Sequence, residues 1–366
     1  MNKINIVPVF VPHYGCPNDC IFCNQRKITN QDYIKDFDET VNLIKEYLNY
    51  FSNQDKLNQI AFYGGSFTGL PKEVMEEYLK IGNSFIKKGK VDSLRLSTRP
   101  DYIDEDILDI LERYGVKTIE LGVQSMVDEV LVANRRNHLS TVVKTSSKLI
   151  KERGFQLGLQ QMLGLYKSNF DRDLFTADEF IKIDPDFVRI YPTLVIRDSF
   201  LEQLYLRFKY KPYSLEETVD LTKILFSMYN SKNIEIIRIG LQPTDNITLG
   251  KDVVAGPFHP SIRQLIMQSL YRDFLSDELR DFYHKEITIY CSKDKIDYIV
   301  GNKGKNRDYL CKKFEISNIK FKSANIEEIV IKSANIEEIV IKSDDFEKSL
   351  DFNYFLRRYR SDRGKS

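Results

Sequence analysis

The sequence predicts an α/β fold in which a parallel sheet forms a partial or near-complete (β/α) barrel, followed by a small C-terminal α+β domain. Short apolar runs alternate six or seven times with longer segments of helical periodicity across the first two-thirds of the 366 residues. This alternation indicates parallel strands joined by right-handed crossovers. Glycines and polar residues follow the apolar runs, at Gly15, Gly64-Gly65 and Gly122. In barrels of this class, that end of the strands carries the chemistry.

The barrel is predicted to span residues 1–240 and to contain seven strands and six helices. The predicted strands are Ile6–Val11, Gln59–Phe62, Ser93–Ser97, Thr118–Gly122, Phe155–Met162, Phe187–Tyr191 and Glu235–Ile239. The predicted helices are Asp38–Phe51, Lys72–Ile86, Glu105–Tyr114, Leu139–Arg153, Arg172–Ile183 and Leu215–Tyr229. In the first helix Val41, Ile44 and Leu48 recur at helical spacing, which predicts one apolar face.

Residues 241–282 are predicted to form a connecting helical layer. Pro257 and Pro260 mark a loop, and a helical run begins at Ser261. His259 invites a role as a proton donor, but beside a proline and in an aromatic context a packed loop residue is the better interpretation.

Residues 283–366 are predicted to form the C-terminal domain, which contains a β-α-α-β unit. Its predicted elements are strand Glu286–Tyr290, helices Lys293–Val300 and Asn306–Phe314, and strand Asn318–Phe321. Gly301-Asn302-Lys303-Gly304 between the helices resembles the G-x-x-G loop of the KH fold, which clamps a nucleic-acid backbone. The resemblance implies an RNA-binding site at Gly301, Lys303, Gly304, Lys305 and Arg307. The alternative is a polar turn with a solvated basic face, and the same alternative applies to the basic C-terminal tail.

The decapeptide SANIEEIVIK occurs twice without change, at Ser323–Lys332 and at Ser333–Lys342. Repeat architectures need at least three units, so a tandem duplication is the better explanation. We expect one copy to pair as a strand and the other to become an extra edge or a loop.

The composition excludes a global electrostatic attraction to nucleic acid or membrane. The formal net charge is +1, so that any such site must be a local patch. The apolar run at the N-terminus is short and broken by prolines, unlike a signal or transit peptide. No apolar stretch approaches the roughly 18 residues of a spanning helix. We therefore expect a cytoplasmic protein, in which cysteines are not expected to form structural disulfides.

Three of the five cysteines, Cys16, Cys20 and Cys23, lie within eight residues after the first predicted strand, with the spacing C-x3-C-x2-C. Three thiolates on one loop can ligate three corners of a cubane iron–sulfur cluster and leave the fourth iron open for chemistry. Structural zinc is the alternative, with His13 as a fourth ligand. Cys291 and Cys311 have no close partner in the sequence, so buried free thiols are expected there.

The cysteine motif resembles that of the radical S-adenosylmethionine (SAM) superfamily, in which C-x3-C-x-aromatic-C follows the first barrel strand. The resemblance implies a 4Fe-4S cluster and S-adenosyl-L-methionine as cofactors, and it places Phe22 beside the adenine. It also implies the chemistry. A reduced cluster gives one electron to the sulfonium, which releases a 5′-deoxyadenosyl radical that abstracts hydrogen from a substrate.

Further stretches match the superfamily in chain order. Gly64-Gly65 resembles the motif that binds the methionine amino group through the backbone. Gln124, in Gly122-Val123-Gln124-Ser125, falls where an amide contacts the bound cofactor. Arg136 falls where relatives place an arginine on the methionine carboxylate, a task that suits a bidentate guanidinium. By chemistry alone Arg135 is an equal rival, and a solvated charge pair is the alternative for both.

Three departures from the family pattern concern the cofactor pocket. Ser66 and Ser97 stand where relatives carry an acid, so for the first of them only the backbone role carries over. Gln160 lies where relatives often place an acid on the ribose hydroxyls. The stretch Gly164-Leu165-Tyr166-Lys167 replaces the usual Gly-Leu-Pro-Gly.

The substrate is suggested by a second resemblance, over roughly residues 1–240. Ile190 to Asp198 and Lys211 to Ser214 are similar to the radical domain of the elongator catalytic subunit, a family that modifies the wobble uridine of transfer RNA (tRNA). No Gly-rich acyl-CoA loop is recognised here, so a mechanism using acetyl-CoA does not transfer. The resemblance implies RNA, and tRNA in particular, as a partner, with a reductase, ferredoxin or flavodoxin as electron donor. The alternatives are a radical enzyme acting on a small metabolite or tetrapyrrole, and a non-catalytic RNA-binding protein that holds a cluster or zinc.

Overall fold

In the computed structural model, the described residues are 4–11, 20–24, 36–51, 56–241, 247–280, 282, 286–323, 329–333, 349–350 and 352–363. The chain forms two compact units. The first comprises Met1–Thr218 and Ile234–Pro260, and the second comprises Val219–Asn233 and Ser261–Ser366. The domain boundaries at residues 240 and 282 stay predictions.

The first unit is built on a seven-stranded parallel sheet. Its strands are β1 (Ile4–Val11), β2 (Leu57–Gly64), β3 (Ser93–Thr98), β4 (Val116–Gln124), β5 (Gln156–Leu163), β6 (Phe187–Pro192) and β8 (Glu235–Ile239). They lie side by side in chain order, and each is parallel to its neighbour. A separate antiparallel pair joins β7 (Val195–Ile196) to β9 (Val253–Ala255). The interiors of the strands are apolar and buried, as expected for a sheet covered on its outer face by crossover helices.

The sheet is strongly curved. Arg189 on β6 donates a hydrogen bond to the Tyr63 hydroxyl on β2 over 2.7 Å, although three strands lie between β2 and β6. In a flat sheet these strands would lie roughly 19 Å apart, because neighbouring strands are about 4.8 Å apart. The first unit is therefore a partial barrel, and this confirms the predicted fold class.

Helices connect the strands. They are α1 (Phe37–Tyr50), α2 (Lys72–Lys87), α3 (Glu105–Arg113), α4 (Asp128–Ala133), α5 (Ser140–Glu152), α6 (Phe170–Ile183), α7 (Phe200–Leu206) and α8 (Leu215–Asn230), the last of which continues into the second unit. The side chains of Asp104 and Asn169 accept hydrogen bonds from backbone amides and so cap α3 and α6. The predicted barrel strands and helices are confirmed, each within two residues at either end. The short helices α4 and α7 were not predicted.

The second unit contains α9 (Ile262–Glu278) and a four-stranded sheet. Its further elements are β10 (Glu286–Cys291), α10 (Ile296–Val300), α11 (Lys305–Phe314), β11 (Asn318–Ser323), β12 (Ile329–Ser333), β13 (Ser349–Leu350) and α12 (Phe352–Arg363). The strand order is β11-β10-β12-β13, with β10 parallel to β11 and antiparallel to β12. The predicted order strand, helix, glycine turn, helix, strand is thus confirmed.

The core of the second unit is aromatic and aliphatic. Rings of α9 and α12 stack, with the centroids of Tyr271 and Phe352 4.2 Å apart. Cys291 is a buried free thiol in this core, as expected, whereas Cys311 is a free thiol that packs against the core and is only partly buried. Burial raises the pKa of both thiols. The first decapeptide copy contributes most of β12, which confirms the expected strand, and the second copy lies outside the described residues apart from Ser333.

In the described part of the chain, none of the helices has the length and apolar character needed to cross a membrane.

Candidate functional site

The cysteine turn lies at the carboxyl end of the parallel sheet. Cys16 and His13 fall outside the described residues, whereas Cys20 and Cys23 are described. The Cys23 amide donates to the Cys20 carbonyl over 2.9 Å and closes a tight turn. Two neighbouring segments hold this turn: the Ile21 amide donates to the carbonyl of Asn134, and the Ile21 carbonyl accepts from the amide of Leu201 on α7 over 2.7 Å.

The thiol of Cys20 is buried between two guanidinium groups. Nη1 of Arg136 lies 3.4 Å from the Cys20 Sγ, and Nη1 of Arg99 lies 3.9 Å from it. All three side chains are about 95% buried. Guanidinium groups at this range complement the negative charge of a thiolate, which is the metal-ligating form of cysteine.

The segment after α4 separates the two rival arginines. Arg135 and Asn137 have positive φ angles of 55° and 54°, so successive side chains turn in opposite directions. Arg136 points inward, where Nη2 donates to the Gly122 carbonyl and Nε has no partner within the described residues. Arg135 is exposed, with its guanidinium stacked 4.4 Å from the Phe200 ring centroid. Only Arg136 reaches the strand ends.

Gln124 ends β4 beside Arg136. Its φ angle is 75°, and its buried Oε1 has no hydrogen-bond partner within the described residues. A Cβ on Gly122 would lie 3.1 Å from the side-chain Nε2 of Gln124, so the glycine makes room for this side chain. An unsatisfied buried acceptor costs about 1–3 kcal/mol, a cost that a hydrogen-bond donor on a bound ligand would remove.

Gly64 is required where the ends of β1 and β2 meet. Its φ is 121°, and a Cβ there would lie 2.5 Å from the Val11 carbonyl oxygen, at the last residue before the cysteine loop. Gly65 follows it into the turn. The Ser66 hydroxyl is buried and bonds the Thr98 hydroxyl at 2.7 Å and the Arg99 amide at 3.1 Å. Ser66 therefore ties the ends of β2 and β3 together.

Sequence reasoning missed a buried charge cluster around Arg99. Two nitrogens of Arg99 donate to the Asp101 carboxylate over 2.9 and 2.7 Å, and the Arg136 carbonyl also accepts from Arg99. Nδ1 of His138 lies 3.4 Å from Nη2 of Arg99. Burial and the Arg136 guanidinium lower the pKa of His138 to about 4, so the ring is neutral near pH 7, and its Nε2 is an orphaned buried atom among the described residues. The available signal was the stretch Thr98-Arg99-Pro100-Asp101 directly after β3, which contains both Arg99 and its carboxylate partner.

A second missed network lies on the concave face of the sheet around Glu120, which is fully buried. The Glu120 carboxylate forms an ion pair with Arg189 at 2.7 Å and lies 3.7 Å from Nε of Arg95. Burial lowers the pKa of Arg189, but the charge of Glu120 and the neighbouring phenols outweigh it, so the net pKa is raised. Gln160 donates to Ser97 over 2.9 Å and to Glu120 over 3.2 Å, so it belongs to this network.

The loop after β5 is held by Asp173 on α6. One carboxylate oxygen accepts from the Gly164 amide over 2.8 Å and from the Tyr213 hydroxyl over 3.0 Å, and the other accepts from Ser168. Burial raises the pKa of Asp173 to about 7, although these hydrogen bonds act in the opposite direction. The unusual sequence after Gly164 is therefore supported by side-chain hydrogen bonds.

Phe22 lies against an apolar cluster next to the cysteine turn. The buried members of the cluster are Ile21, Val195, Leu201 and Tyr210. The strand ends thus bring Cys20, Cys23, Phe22, Gly64, Gln124 and Arg136 to one side of the sheet, with Gln160 directed to the Glu120 network. The structure does not test the three-cysteine ligand set, because one of the three lies outside the described residues, and no group of three metal-ligating side chains occurs within them.

The second unit contains the predicted glycine turn. Gly301 and Gly304 have φ angles of 76° and 78°, and a Cβ on Gly301 would lie 2.9 Å from the Asn306 amide nitrogen. Lys303 and Lys305 are exposed, whereas Arg307 pairs with Asp308 at 2.8 Å. The turn thus presents two lysines to solvent on a closely packed backbone.

Comparison with known families identifies two segments. The radical SAM superfamily matches residues 10–178, and the radical SAM C-terminal domain matches residues 185–272. These ranges cover most of the first unit and the beginning of the second.

Curated proteins match over part of their length. Elongator complex protein 3 of Saccharomyces cerevisiae is 30% identical over 195 residues, which cover 48% of this chain and 35% of that protein. The tRNA uridine(34) acetyltransferase of Methanocaldococcus infernus is 32% identical over 152 residues, 40% of this chain and 28% of that protein. The matched region thus spans about a third of these relatives.

A solved structure has the same fold. The archaeal Methanocaldococcus infernus Elp3 with an N-terminal deletion superposes with a TM-score of 0.58 at 21% identity, covering 76% of this chain and 64% of that chain. At this identity the likeness concerns the fold alone.

Proposed function

The chain carries the radical SAM domain together with the C-terminal domain of that superfamily, and on this premise we propose that it is an enzyme that modifies RNA, with tRNA as its substrate. The observation that carries the catalytic part is the buried thiol of Cys20 between Arg99 and Arg136 at the strand ends.

The residues present fit the cofactors of the superfamily, a 4Fe-4S cluster and S-adenosyl-L-methionine. The buried Oε1 of Gln124 and the buried Nε of Arg136 both lack partners within the described residues, and they offer one acceptor and one donor. These groups complement the amino and carboxylate ends of an amino acid. When bound, the cluster and S-adenosyl-L-methionine supply a 5′-deoxyadenosyl radical, which abstracts a hydrogen atom from the substrate.

We assign the chain's own residues as follows. Cys16, Cys20 and Cys23 would ligate the cluster. Phe22, Gly64, Gly65, Gln124 and Arg136 would hold S-adenosyl-L-methionine. Gln160 would approach the ribose from the Glu120 network, to which its amide already donates. Arg99, fixed by Asp101, would hold the loop that carries Arg136 and complement the charge of the Cys20 sulfur.

The RNA part of the proposal is supported by two observations. The matched curated relatives are named for tRNA uridine acetylation and for the elongator complex. Independently, the turn Gly301 to Gly304 carries exposed lysines, and such a turn can hold a phosphate backbone. Because the chain matches only about a third of these relatives, acetyl transfer is not part of the proposal.

The test of the catalytic part is anaerobic reconstitution with iron and sulfide, followed by a dithionite-reduced assay for 5′-deoxyadenosine. Dithionite replaces the reductase, ferredoxin or flavodoxin that we propose as the donor. We expect product from the wild-type chain and none from Cys20→Ser or Cys23→Ser, with Cys311→Ser as the matched control that retains activity. A fully loaded cluster without product would overturn the enzymatic assignment.

The test of the substrate is nucleoside mass spectrometry of tRNA from cells lacking this chain. A nucleoside that disappears in the deletion strain, and returns with the wild-type gene but not with Cys20→Ser, is the expected result. An unchanged nucleoside profile, together with 5′-deoxyadenosine formation in the assay, would favour a small-molecule substrate.

A further inference from the structure

The end of helix α7 presents an unusual side chain to solvent. Phe208 lies two residues beyond the helix, and its side chain is 96% exposed, more than any other large apolar side chain in the described part of the chain. Its φ angle is 56°, in the left-handed region. A single exposed apolar residue is ordinary in proteins, but this one also carries a backbone cost that glycine would not have.

The backbone here is ordered by hydrogen bonds. The Phe208 amide donates to the Tyr205 carbonyl over 3.0 Å, and the Lys209 amide donates to the Leu204 carbonyl over 2.8 Å. These bonds form a helix C-cap in which Phe208 takes the position that usually holds glycine. The aromatic ring thus stands on a hydrogen-bonded backbone. Its position is unfavourable in two ways, because the φ angle is positive and because the apolar ring is exposed to water. Strained backbone positions cluster at functional sites, and this one also displays an aromatic ring to solvent.

The flanking residues are basic. Arg207, Lys209 and Lys211 are exposed, and no acidic residue occurs between positions 207 and 211. Within the described residues no carboxylate lies at ion-pair distance from Arg207 or Lys209. Three cations thus lie within three positions of this aromatic residue along the chain, and two of them are lysines, a residue type depleted at protein interfaces. They match RNA, in which unpaired bases stack on aromatic rings and phosphates bind cations.

The helix that carries this tip is attached to the cysteine turn. The Leu201 amide donates to the Ile21 carbonyl over 2.7 Å, and both side chains belong to one buried cluster. After the tip, the chain returns to the site through Tyr210, whose hydroxyl donates to the Gly164 carbonyl over 2.7 Å. The exposed ring and the predicted cluster loop are therefore held by the same short segment.

We propose that residues 206–211 form a stacking tip, in which Phe208 stacks on an unpaired base of the RNA substrate while Arg207, Lys209 and Lys211 contact the flanking phosphates. The tip rests on the proposed RNA substrate and adds the surface by which the barrel positions that substrate. It is separate from the Gly301 to Gly304 turn, which lies in the second unit.

The test is Phe208→Gly in the full-length reconstituted chain, because glycine suits the left-handed backbone and removes the ring. We expect affinity for unfractionated tRNA to fall about tenfold, the effect of one lost stacked base. Affinity for a blunt RNA duplex should stay within about twofold, since a duplex offers no unpaired base. The midpoint of thermal unfolding should be equal or higher.

Two variants complete the experiment. Phe208→Trp should keep the tRNA affinity of the wild type, in contrast to Phe208→Gly, because the indole also stacks on bases. Phe175→Ala removes another half-exposed ring, on α6, and should leave tRNA affinity unchanged. Equal tRNA binding by the wild type and Phe208→Gly overturns the stacking tip but leaves the proposed RNA substrate intact. Absence of tRNA binding by the wild type overturns the proposed substrate itself.

Discussion

The two predicted ligand sites use positive charge in opposite ways. At the cysteine turn, Arg99 and Arg136 are buried, and each contacts several fixed acceptors. At the glycine turn of the second unit, Lys303 and Lys305 are exposed. A buried charge has one geometry and a large effect when removed, whereas exposed lysines act together as a salt-dependent field. The first site should therefore respond sharply to single substitutions, and the second weakly and additively.

Arg136→Gln is the most direct way to break this contrast. The substitution removes the guanidinium that contacts Cys20 and Gly122, and we expect 5′-deoxyadenosine formation, measured as kcat/KM for S-adenosyl-L-methionine, to fall more than about a thousandfold, the cost of breaking a buried charge interaction. The neighbouring Arg135→Gln should change this value less than about threefold, because its side chain stacks on Phe200 in solvent. Equal losses in the two variants would contradict the assignment of Arg136.

Asp173→Asn tests whether the replacement of a buried acid, like that of a buried arginine, has a large effect, here on the free energy of unfolding. The pKa of Asp173 is about 7 in the folded protein, above its value in the unfolded chain. Between about pH 4 and 7, the Asp173 carboxyl is therefore protonated in the folded state and ionised in the unfolded chain. The contribution of Asp173 to stability is complete below pH 4 and falls by about 4 kcal/mol up to pH 7. Urea unfolding should therefore show the variant gaining stability relative to the wild type as pH rises through this interval.

The matched control is Asp171→Asn, an exposed acid on the same helix. It should leave the pH dependence of the unfolding free energy unchanged. A wild-type profile that is parallel to that of Asp173→Asn would show that Asp173 is ionised in the folded protein.

Gly64→Ala tests whether alanine costs more stability at a closely packed glycine than at a glycine with free space around it. The added Cβ would lie 2.5 Å from the Val11 carbonyl at a φ of 121°, so we expect the free energy of unfolding to fall by about 2–3 kcal/mol. Gly89→Ala also has a positive φ but meets nothing within 4 Å, and it should cost about 1 kcal/mol. Similar losses, measured by urea denaturation, would mean that the close approach to Val11 contributes nothing.

The smallest effects are expected at the glycine turn. Replacing Lys303 or Lys305 by Gln should weaken tRNA binding only about twofold to fivefold. Each change removes one phosphate contact, so the slope of the logarithm of the binding constant against the logarithm of the salt concentration should become shallower by slightly less than one. The double substitution Lys303→Glu and Lys305→Glu should weaken binding further. Unchanged affinity of this double variant, measured by fluorescence anisotropy, would remove the RNA-binding role of the turn.

The contrast also explains what the sequence could predict. Strand positions follow from local apolar runs and the glycines after them, and the cysteine motif is defined by spacing, so both are readable from neighbouring residues. In the Arg99 cluster, Arg99 contacts Arg136 37 residues further along the chain, and in the Glu120 network Glu120 pairs with Arg189 69 residues away, which no local pattern reveals. Glu120 lies within an apolar run and gave no signal of its own. Helix α7 is only seven residues long, too short for a periodic pattern.

The ion pair between Arg189 and Glu120 and the hydrogen bond between Arg189 and Tyr63 connect β6 to β4 and to β2 across the concave face of the sheet. A fully closed barrel has its radius set by the number and stagger of its strands. Here β1 and β8 are the two edges of the seven-stranded sheet, and the span between β2 and β6 is set by the length of two side chains. A shorter cation at position 189 would not reach the Tyr63 hydroxyl at this distance, so the hydrogen bond would be lost unless β2 and β6 moved closer together.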